Sequence, residues 1–450
     1  MKVSLGKKIL WVLIVAATPF ISKAQEATQT PLQLTLDKAI EIALSDNPII
    51  KVAEKEIQRV DYSKKSAWYN VLPSLNASGQ YAKFLTPMST SFAGMVIPLP
   101  TDFNASASLS LGLPLFAPAL WRTIQMTTLD MQLAVEKAHA SKITLRNDVS
   151  KAYYGVLLAQ DSYKTLQGGY ALAEDVYQQA KKRFEVGLSS EFDVISAEVQ
   201  MKNLQPSLME VENGIEQAKM YLKILMGLEI TQPIEISGNL INYESSIENS
   251  NAFSNFSLDA NTDLKQLEIQ QRQLQKALSL QRTQRMPTLA AFGSYTYAGT
   301  GNKAGLNFIT QQPSPASQAW FSQGLLAGLQ LSVPLTGIFT NIAKEKQTKV
   351  QITQLAIQRD YLEESLNLQV RTALNNMDKA LKQAEAAKSN EDLAQKGYDI
   401  SMKRYDTGMG TILELQSASL ALTQAQLARR QAIATYLNSK ADLVKTLGTE

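Results

Sequence analysis

Cysteine is absent from the 450-residue sequence, and histidine occurs once, at His139. Without cysteine the chain has no disulfide framework, thiolate nucleophile, zinc finger or iron–sulfur cluster, and no lipidated cysteine behind a signal segment. A single imidazole nearly excludes metal and triad chemistry, and an enzyme would have to rely on carboxylates, lysine, serine or tyrosine. The sequence therefore predicts no catalytic residue, no metal ligand and no cofactor, and it favours a binding, structural or transport protein.

An excess of charge is also missing, since 44 Lys and Arg face 41 Asp and Glu. A protein that binds nucleic acid normally carries a clear basic excess, so this class is excluded. Four of the lysines lie before residue 25, at Lys2, Lys7, Lys8 and Lys23. The rest of the chain has 40 basic and 41 acidic side chains and is almost neutral.

Long hydrophobic runs are scarce as well. The apolar run from Ile9 to Ala17 follows three lysines and precedes Ser22-Lys23-Ala24, a spacing typical of a secretory signal peptide cleaved after Ala24. An uncleaved membrane anchor is the alternative, although the run is short for a span. No later stretch reaches the roughly 18 apolar residues of a membrane helix, so membrane contact would require β-strands or the protein surface.

The sequence contains an internal repeat. Matching residues stand 214 positions apart at first, then 220 and later 221 apart, and the six residues gained between the first two offsets fall in 298–324. The matched pairs include Asn47 and Asn261, Pro73 and Pro287, Tyr81 and Tyr295, Arg183 and Arg404, Gly187 and Gly408, and Gly227 and Gly448. We therefore predict a signal peptide at 1–24, a first repeat at 25–227, an irregular linker at 228–260 and a second repeat at 261–450.

Each repeat reads as a helix, two strands and two further helices. Helical spacing covers 36–70, and alternation with period two predicts strands at 74–84, 105–113, 288–297 and 325–333. The segments 86–103 and 298–324 read as loops rich in aromatic residues. Runs of about 70 residues then lead to Gly187 and Gly408, and each would reach about 100 Å as a helix. Gly155 and Gly168-Gly169 predict a break or kink in the first run.

Four strands cannot close into a barrel by themselves. Known single-chain membrane barrels begin at about eight strands, and an open sheet in lipid leaves backbone groups unpaired. Two copies would supply eight strands and a filled interior, whereas three would supply twelve and room for a pore. The alternative is a secreted coiled-coil structural or adhesion protein, without channel activity, whose strands are incidental.

Two motifs carry a family resemblance. The segment from Arg183 to Val194, RFEVGLSSEFDV, and the strand entry Leu72-Pro73-Ser74-Leu75, within the duplicated order, resemble the TolC family of outer-membrane efflux proteins over residues 35–448. The resemblance implies an α plus transmembrane β fold in which a homotrimer builds one twelve-stranded barrel and a periplasmic helical tunnel. It also implies a passive exit duct of efflux or type I secretion in the outer membrane of a Gram-negative bacterium, in contact with outer-membrane lipid, a periplasmic adaptor and an inner-membrane pump.

The resemblance assigns roles to the two helix reversals. Adaptor docking would fall on Arg183, Val186, Gly187, Leu188, Ser190, Arg404, Gly408 and Thr411. Asp193 and Glu414 would narrow the pore, although their spacing from Ser190 and Thr411 equally predicts helix capping. The chain departs from familiar members at Ser417, where they carry a second acid, and at Gly410, where they carry a basic residue. Lys181-Lys182-Arg183 reads as solvated helix surface that could also meet an acidic adaptor.

Overall fold

A computed structural model describes residues 32–86, 88–92, 94–99, 102–246, 256–302, 305–306, 313–314, 318–335 and 337–449. The predicted signal peptide at 1–24 lies outside these residues. The predicted loops at 86–103 and 298–324 and the predicted linker at 228–260 are described in part. None of the described helices contains a stretch long and apolar enough to cross a membrane.

The described elements follow the predicted order twice. In the first half they are β1 Leu32–Leu34, α1 Leu36–Asp46, α2 Pro48–Tyr69, β2 Ser74–Lys83, β3 Met88–Phe92, β4 Met95–Leu99, β5 Phe103–Phe116, α3 Pro118–Glu185 and α4 Glu191–Met226. They continue with β6 Ile234–Ile236, a 3₁₀ helix Leu240–Ser246, α5 Thr262–Thr283, β7 Thr288–Asn302, β8 Gly305–Leu306, β9 Pro313–Ser314, β10 Gln318–Ser332, α6 Gly337–Asp406 and α7 Ile412–Leu447.

The two longest helices set the shape of the chain. α3 has 68 residues and α6 has 70, so each is about 100 Å long at 1.5 Å per residue. Of the break or kink predicted at Gly155 and Gly168-Gly169, the break is wrong, because α3 is continuous through all three glycines. At Gly169 a Cβ atom would lie 2.9 Å from the Thr423 hydroxyl of α7. A glycine that reads as a weak point in the helix thus permits close packing of two helices.

The four long strands form one antiparallel sheet in the order β10-β7-β5-β2. Its register places Leu75, Leu111, Gly293 and Ala327 side by side, and their neighbours in each strand on the opposite face. One face is therefore apolar. The other face carries mainly polar and small residues, together with Phe292 and Leu326. Its polar residues include Ser74, Asn76, Ser78, Gln80, Asn104, Ser106, Ser108, Ser110, Ser294, Thr296, Thr300, Ser322, Gln330 and Ser332.

The segments predicted as loops contain more strand than expected. β7 continues to Asn302 and β10 begins at Gln318, while β3 and β4 pair as a hairpin within 86–103. The ring of Phe321 covers Gly299, and the ring of Phe103 covers Gly301. Cross-strand aromatic side chains shield these glycines, which is why a glycine-rich sequence stays in the sheet.

The main core lies where the predicted linker crosses the long helices. β6 pairs in parallel with β1, and the buried Tyr153 hydroxyl of α3 donates to the Ser237 carbonyl at 3.0 Å. The Asp161 carboxylate accepts from the Leu240 backbone N–H at 2.7 Å. Arg429 of α7 reaches Glu244 at 2.5 Å and Glu391 of α6 at 3.4 Å. The linker is thereby fastened to helices from both halves of the chain.

Twice in the chain, an asparagine side chain bonds to the last turn of a helix that ends at a glycine. The Asn47 amide donates to the Leu225 carbonyl at 2.7 Å, and Asn261 donates to the Thr446 carbonyl at 2.8 Å. Each asparagine also caps the helix that follows it, α2 or α5. Beside them Gly227 and Gly448 end α4 and α7 in the left-handed conformation, at φ 71° and 72°. The last helix of each half is therefore held against the first.

We expect Gly227→Ala to destabilise the protein by about 2–4 kcal/mol, because φ is positive and the added Cβ would lie 2.6 Å from the Asp46 carbonyl oxygen. Gly397→Ala is the matched control, since nothing lies within 4 Å of its added Cβ inside α6. That substitution should be neutral or stabilise by up to about 1 kcal/mol. Thermal and urea unfolding in detergent measure both. Equal unfolding midpoints for the two variants would contradict the contact.

Candidate functional site at the helical tips

The two long helical hairpins reverse by the same turn. After α3 the Gly187 N–H donates to the Phe184 carbonyl at 2.9 Å, and the Leu188 N–H donates to the Arg183 carbonyl at 2.7 Å. After α6 the Gly408 N–H donates to Tyr405 at 3.1 Å. Both glycines have positive φ, 77° and 75°. Glycine tolerates this left-handed conformation, so both predicted helix reversals are confirmed.

The helix that follows each turn begins at a capping residue. At α4 the Asp193 N–H donates to the Ser190 hydroxyl at 3.2 Å, and the Asp193 carboxylate accepts from the Ser190 N–H at 2.9 Å. This is a complete capping box, as the spacing predicts. At α7 the Glu414 N–H donates to the Thr411 hydroxyl at 3.2 Å, while its carboxylate lies 3.5 Å from Arg404. The Asp193 carboxylate thus caps α4, and the Glu414 carboxylate forms an ion pair with Arg404.

Large apolar side chains stand exposed on both turns. Val186 is 69% exposed, Leu188 77% and Met409 71%. Exposed apolar residues that cluster on a small projecting surface are typical of a site that binds another protein. We call the two turns, residues 184–192 and 405–413, the first tip and the second tip.

Arg183 joins the two tips. Its guanidinium donates to the carbonyls of Tyr405 and Asp406, at 2.7 and 2.9 Å, and lies 4.5 Å from the centre of the Tyr405 ring. These carbonyls end α6, where the helix dipole favours a cation. The prediction that Lys181-Lys182-Arg183 is solvated surface is therefore wrong for Arg183, although both lysines are exposed.

Arg404 is the repeat equivalent of Arg183 but makes different contacts. Its guanidinium donates to the Met409 carbonyl of its own turn at 3.3 Å and faces Glu414. Gly410 packs beneath it, since an added Cβ would lie 3.0 Å from the Arg404 Cβ. One arginine therefore connects the two tips, and the other stabilises the second tip alone.

A small apolar core lies directly behind the tips. It contains Val176, Ala180, Tyr398, Tyr405 and Leu415, among others. Burial raises the pKa of the Tyr405 phenol, with further increases from the nearby acids Asp193 and Asp406, while Arg183 acts in the opposite direction. The phenol is therefore neutral throughout the physiological pH range. A change of pH within that range does not alter the packing at the tips through Tyr405.

Sequence reasoning missed Tyr405 and Asp406 as partners of Arg183. It also missed the contact between the Ser196 hydroxyl and the Gln416 side chain at 3.1 Å, which connects α4 with α7. The one available signal was the repeat itself, in which Phe184 aligns with Tyr405 and Glu185 with Asp406. The repeat shows which residues correspond, but not which ones touch.

We expect Arg183→Ala to loosen the two tips relative to each other, because it removes charge-assisted hydrogen bonds that typically contribute about 1.5–3 kcal/mol. The absence of native cysteine allows spin labels at Lys182→Cys and Lys403→Cys without background labelling. Electron–electron distance measurements should show a broader distribution in Arg183→Ala. Arg404→Ala, the matched control, should leave the distribution between the hairpins unchanged. Equal broadening in both variants would show that Arg183 makes no special connection.

Known proteins share this architecture. The outer membrane protein TolC of Vibrio cholerae is 23% identical over 346 residues, which cover 76% of each protein. The outer membrane protein VceC of Vibrio cholerae superposes with a TM-score of 0.70 at 13% identity, covering 92% of this chain and 96% of that one. The open-state MtrE outer membrane channel of Neisseria gonorrhoeae gives 0.69 at 19% identity, covering 92% and 89%.

A family model described as outer membrane efflux protein matches residues 39–228 and 254–449. These two ranges include the long sheet, both long hairpins and both tips. The fold is that of the TolC-like channels, with a strand portion at one end and a helical rod at the other. This chain belongs to the outer membrane efflux protein family.

Proposed function

We propose that three copies of this chain form a passive exit duct across the outer membrane and the periplasm. The observation that carries the proposal is the long sheet, which has one apolar face, one polar face and two outer edges, at β2 and β10. Backbone groups on such edges need partners in lipid. Three sheets joined edge to edge supply twelve strands, which leave space for a pore.

The two faces of the sheet support this arrangement. The polar face would line the pore, and its described strand residues carry no charged side chain. The apolar face would contact lipid. Its single charged residue among the described strands is Lys83, at the end of β2. A neutral polar wall suits a duct that transmits many solutes, because it provides no fixed charge to select among them.

The repeats would supply the rest of the duct. In this proposal the first repeat, 25–227, and the second, 261–450, each contribute two strands and one long hairpin. The linker, 228–260, would encircle the rod at its middle, where the contacts of Asp161 and Arg429 support a fixed position. A mature chain that begins at residue 25 agrees with export across the inner membrane.

The two tips would dock a periplasmic adaptor, which connects the duct with an inner-membrane pump. The docking residues in this proposal are Arg183, Val186, Gly187, Leu188, Ser190, Arg404, Gly408 and Thr411. Their exposed apolar side chains support protein binding, whereas Arg183 and Gly187 shape the surface from within. Asp193 and Glu414 would narrow the pore, since a threefold axis gathers three copies of each acid. A ring of carboxylates favours cations.

Purified protein should form trimers in detergent and conduct ions in planar bilayers, and recovery as a soluble periplasmic monomer would contradict the duct.

A matched pair of variants tests the two faces of the sheet. Leu329→Lys places a charge on the apolar face of β10 and should make the free energy of membrane insertion less favourable by about 2–4 kcal/mol. Gln330→Lys, one residue further on the polar face, should insert normally and shift the current towards anions. Equal insertion defects in the two variants would contradict the assignment of the faces.

Leu188→Asp should abolish export while the trimer stays in the membrane, because it places a charge in the apolar docking surface. Leu85→Asp is the control, since Leu85 is exposed beyond the opposite end of β2. Accumulation of a cargo whose export is lost on deletion of the channel gene measures both. We expect Leu188→Asp to match the deletion strain and Leu85→Asp to match wild type. Normal export by Leu188→Asp would remove the docking role of the first tip.

A further inference from the structure

Two bulky apolar side chains interrupt the polar face of the sheet. Phe292 of β7 lies on the same face as Ser294, because residues two apart in a strand point the same way. Leu326 of β10 pairs with Ser294 and therefore shares that face. Leu326 is 61% exposed and Phe292 is half-buried. We call Phe292 and Leu326 the apolar pair.

The two residues of the pair are diagonal neighbours across β7 and β10. Phe292 pairs with Gly328, and Leu326 stands two residues before Gly328 on the same strand. Diagonal neighbours on one face lie about 7–8 Å apart, which is within reach of an aromatic side chain. The Phe292 ring extends over β10, since a Cβ added at Gly328 would lie 3.0 Å from the Phe292 Cζ atom. The ring and the leucine thus border one patch of the wall.

Glycine leaves the backbone open around the pair. Gly324 and Gly328 flank Leu326 along β10, and Gly112 of β5 pairs with Phe292. A Cβ added at Gly324 would meet nothing within 4 Å. A flat molecule therefore has room to lie against β10 beside Leu326 without meeting another side chain.

The packing of the sheet accounts for Phe292 but not for Leu326. An aromatic ring can shield a glycine of the neighbouring strand, as Phe321 shields Gly299 on the opposite face. Phe292 has the same role at Gly328. No atom of Leu326 lies within 4 Å of a Cβ added at Gly324, so the leucine shields nothing there. A side chain that stays mostly exposed contributes little apolar burial to the fold.

We propose that the apolar pair binds the flat apolar part of solutes that pass through the duct. The inference rests on the proposed trimer, in which the polar face lines the pore, so that solute reaches the pair and no neighbouring copy covers it. The ligand class is an amphiphile with a planar hydrocarbon or aromatic group and a polar group. The planar group stacks on the Phe292 ring and contacts Leu326, while the polar group faces hydroxyls such as Ser294.

Binding at the pair is weak, as a duct requires. Conduction needs a site that a solute enters favourably and leaves readily. Enclosed ligand pockets bury 70–90% of their ligand, whereas two side chains on an open wall cover only one side of it. We therefore expect a dissociation constant in the millimolar range. The neutral wall adds no selection by charge, so the pair favours solutes by their apolar surface instead.

Current through single channels in planar bilayers tests the pair. Naphthalene-2-sulfonate carries a planar aromatic group and a charge that keeps it in water, whereas methanesulfonate carries the same charge without the rings. At equal millimolar concentration only naphthalene-2-sulfonate should lower the mean current and add noise. Phe292→Ser and Leu326→Ser should each raise the concentration for half-maximal block at least about threefold. Ala298→Ser is the matched control, because it lies on the same face of β7 about 20 Å further along and should change nothing.

Two outcomes would overturn the apolar pair. Equal block of the wild type and of both serine variants would place aromatic binding elsewhere in the duct. Equal effects of the two sulfonates on the wild type would show that the wall does not recognise apolar groups. If Phe292→Ser fails to insert, Leu326→Ser decides, since Leu326 shields no glycine at Gly324. These results count against the pair alone because they come from channels that conduct, whereas wild-type protein that never conducts would contradict the duct itself.

Discussion

Backbone hydrogen bonding at the outer edges of β2 and β10 is the constraint on which the rest of this architecture depends. Within one chain each of these strands pairs on one side. In water an unpaired edge can bond to solvent, but in hydrocarbon each unpaired group costs several kcal/mol. A chain of this family can therefore place its sheet in a membrane only by joining other sheets. Assembly is then a condition of membrane insertion rather than a later event.

The helical part must hold its two long hairpins together over about 100 Å. The duplicated contacts of Asn47 with Leu225 and of Asn261 with Thr446 meet this requirement where the 36-residue helices α4 and α7 end. The linker packs on the same main core and binds both halves through Glu244 and Asp161. At the tips Arg183 provides the last connection described between the hairpins. A few polar contacts thus fix the hairpins to each other at the main core and at the tips, in addition to the apolar packing of the helices.

Much of this fold could be predicted from the sequence, because its signals are local. Alternating apolar and polar residues identified the strands, and glycines at the ends of the long helical runs identified the reversals. A nearly constant spacing between matched residues identified the repeat. Contacts between distant segments were not accessible. Gly168-Gly169 read as a break because the approach of Thr423 is invisible in sequence. Gly299 and Gly301 read as loop because the rings that cover them come from other strands.

At the candidate site, too, contacts between distant residues could not be predicted from the sequence. Arg183 and Arg404 are the same residue at equivalent positions of the repeat, so nothing in their local sequence distinguishes them. The environment differs because Arg183 faces the end of α6, whereas Arg404 faces its own turn and Glu414. Capping by Asp193 was predictable since it depends on a spacing of three residues. The connection across the tips was not, since it joins residues 222 positions apart.

The unequal arginines also affect the symmetry of the assembly. In the proposed trimer, six turns of nearly the same backbone form a ring with approximate sixfold symmetry. Arg183 connects the first turn of each chain with the second, whereas Arg404 bonds within its own hairpin. The surface therefore repeats only every second turn. A partner that contacts all six turns must therefore use two kinds of contact in alternation.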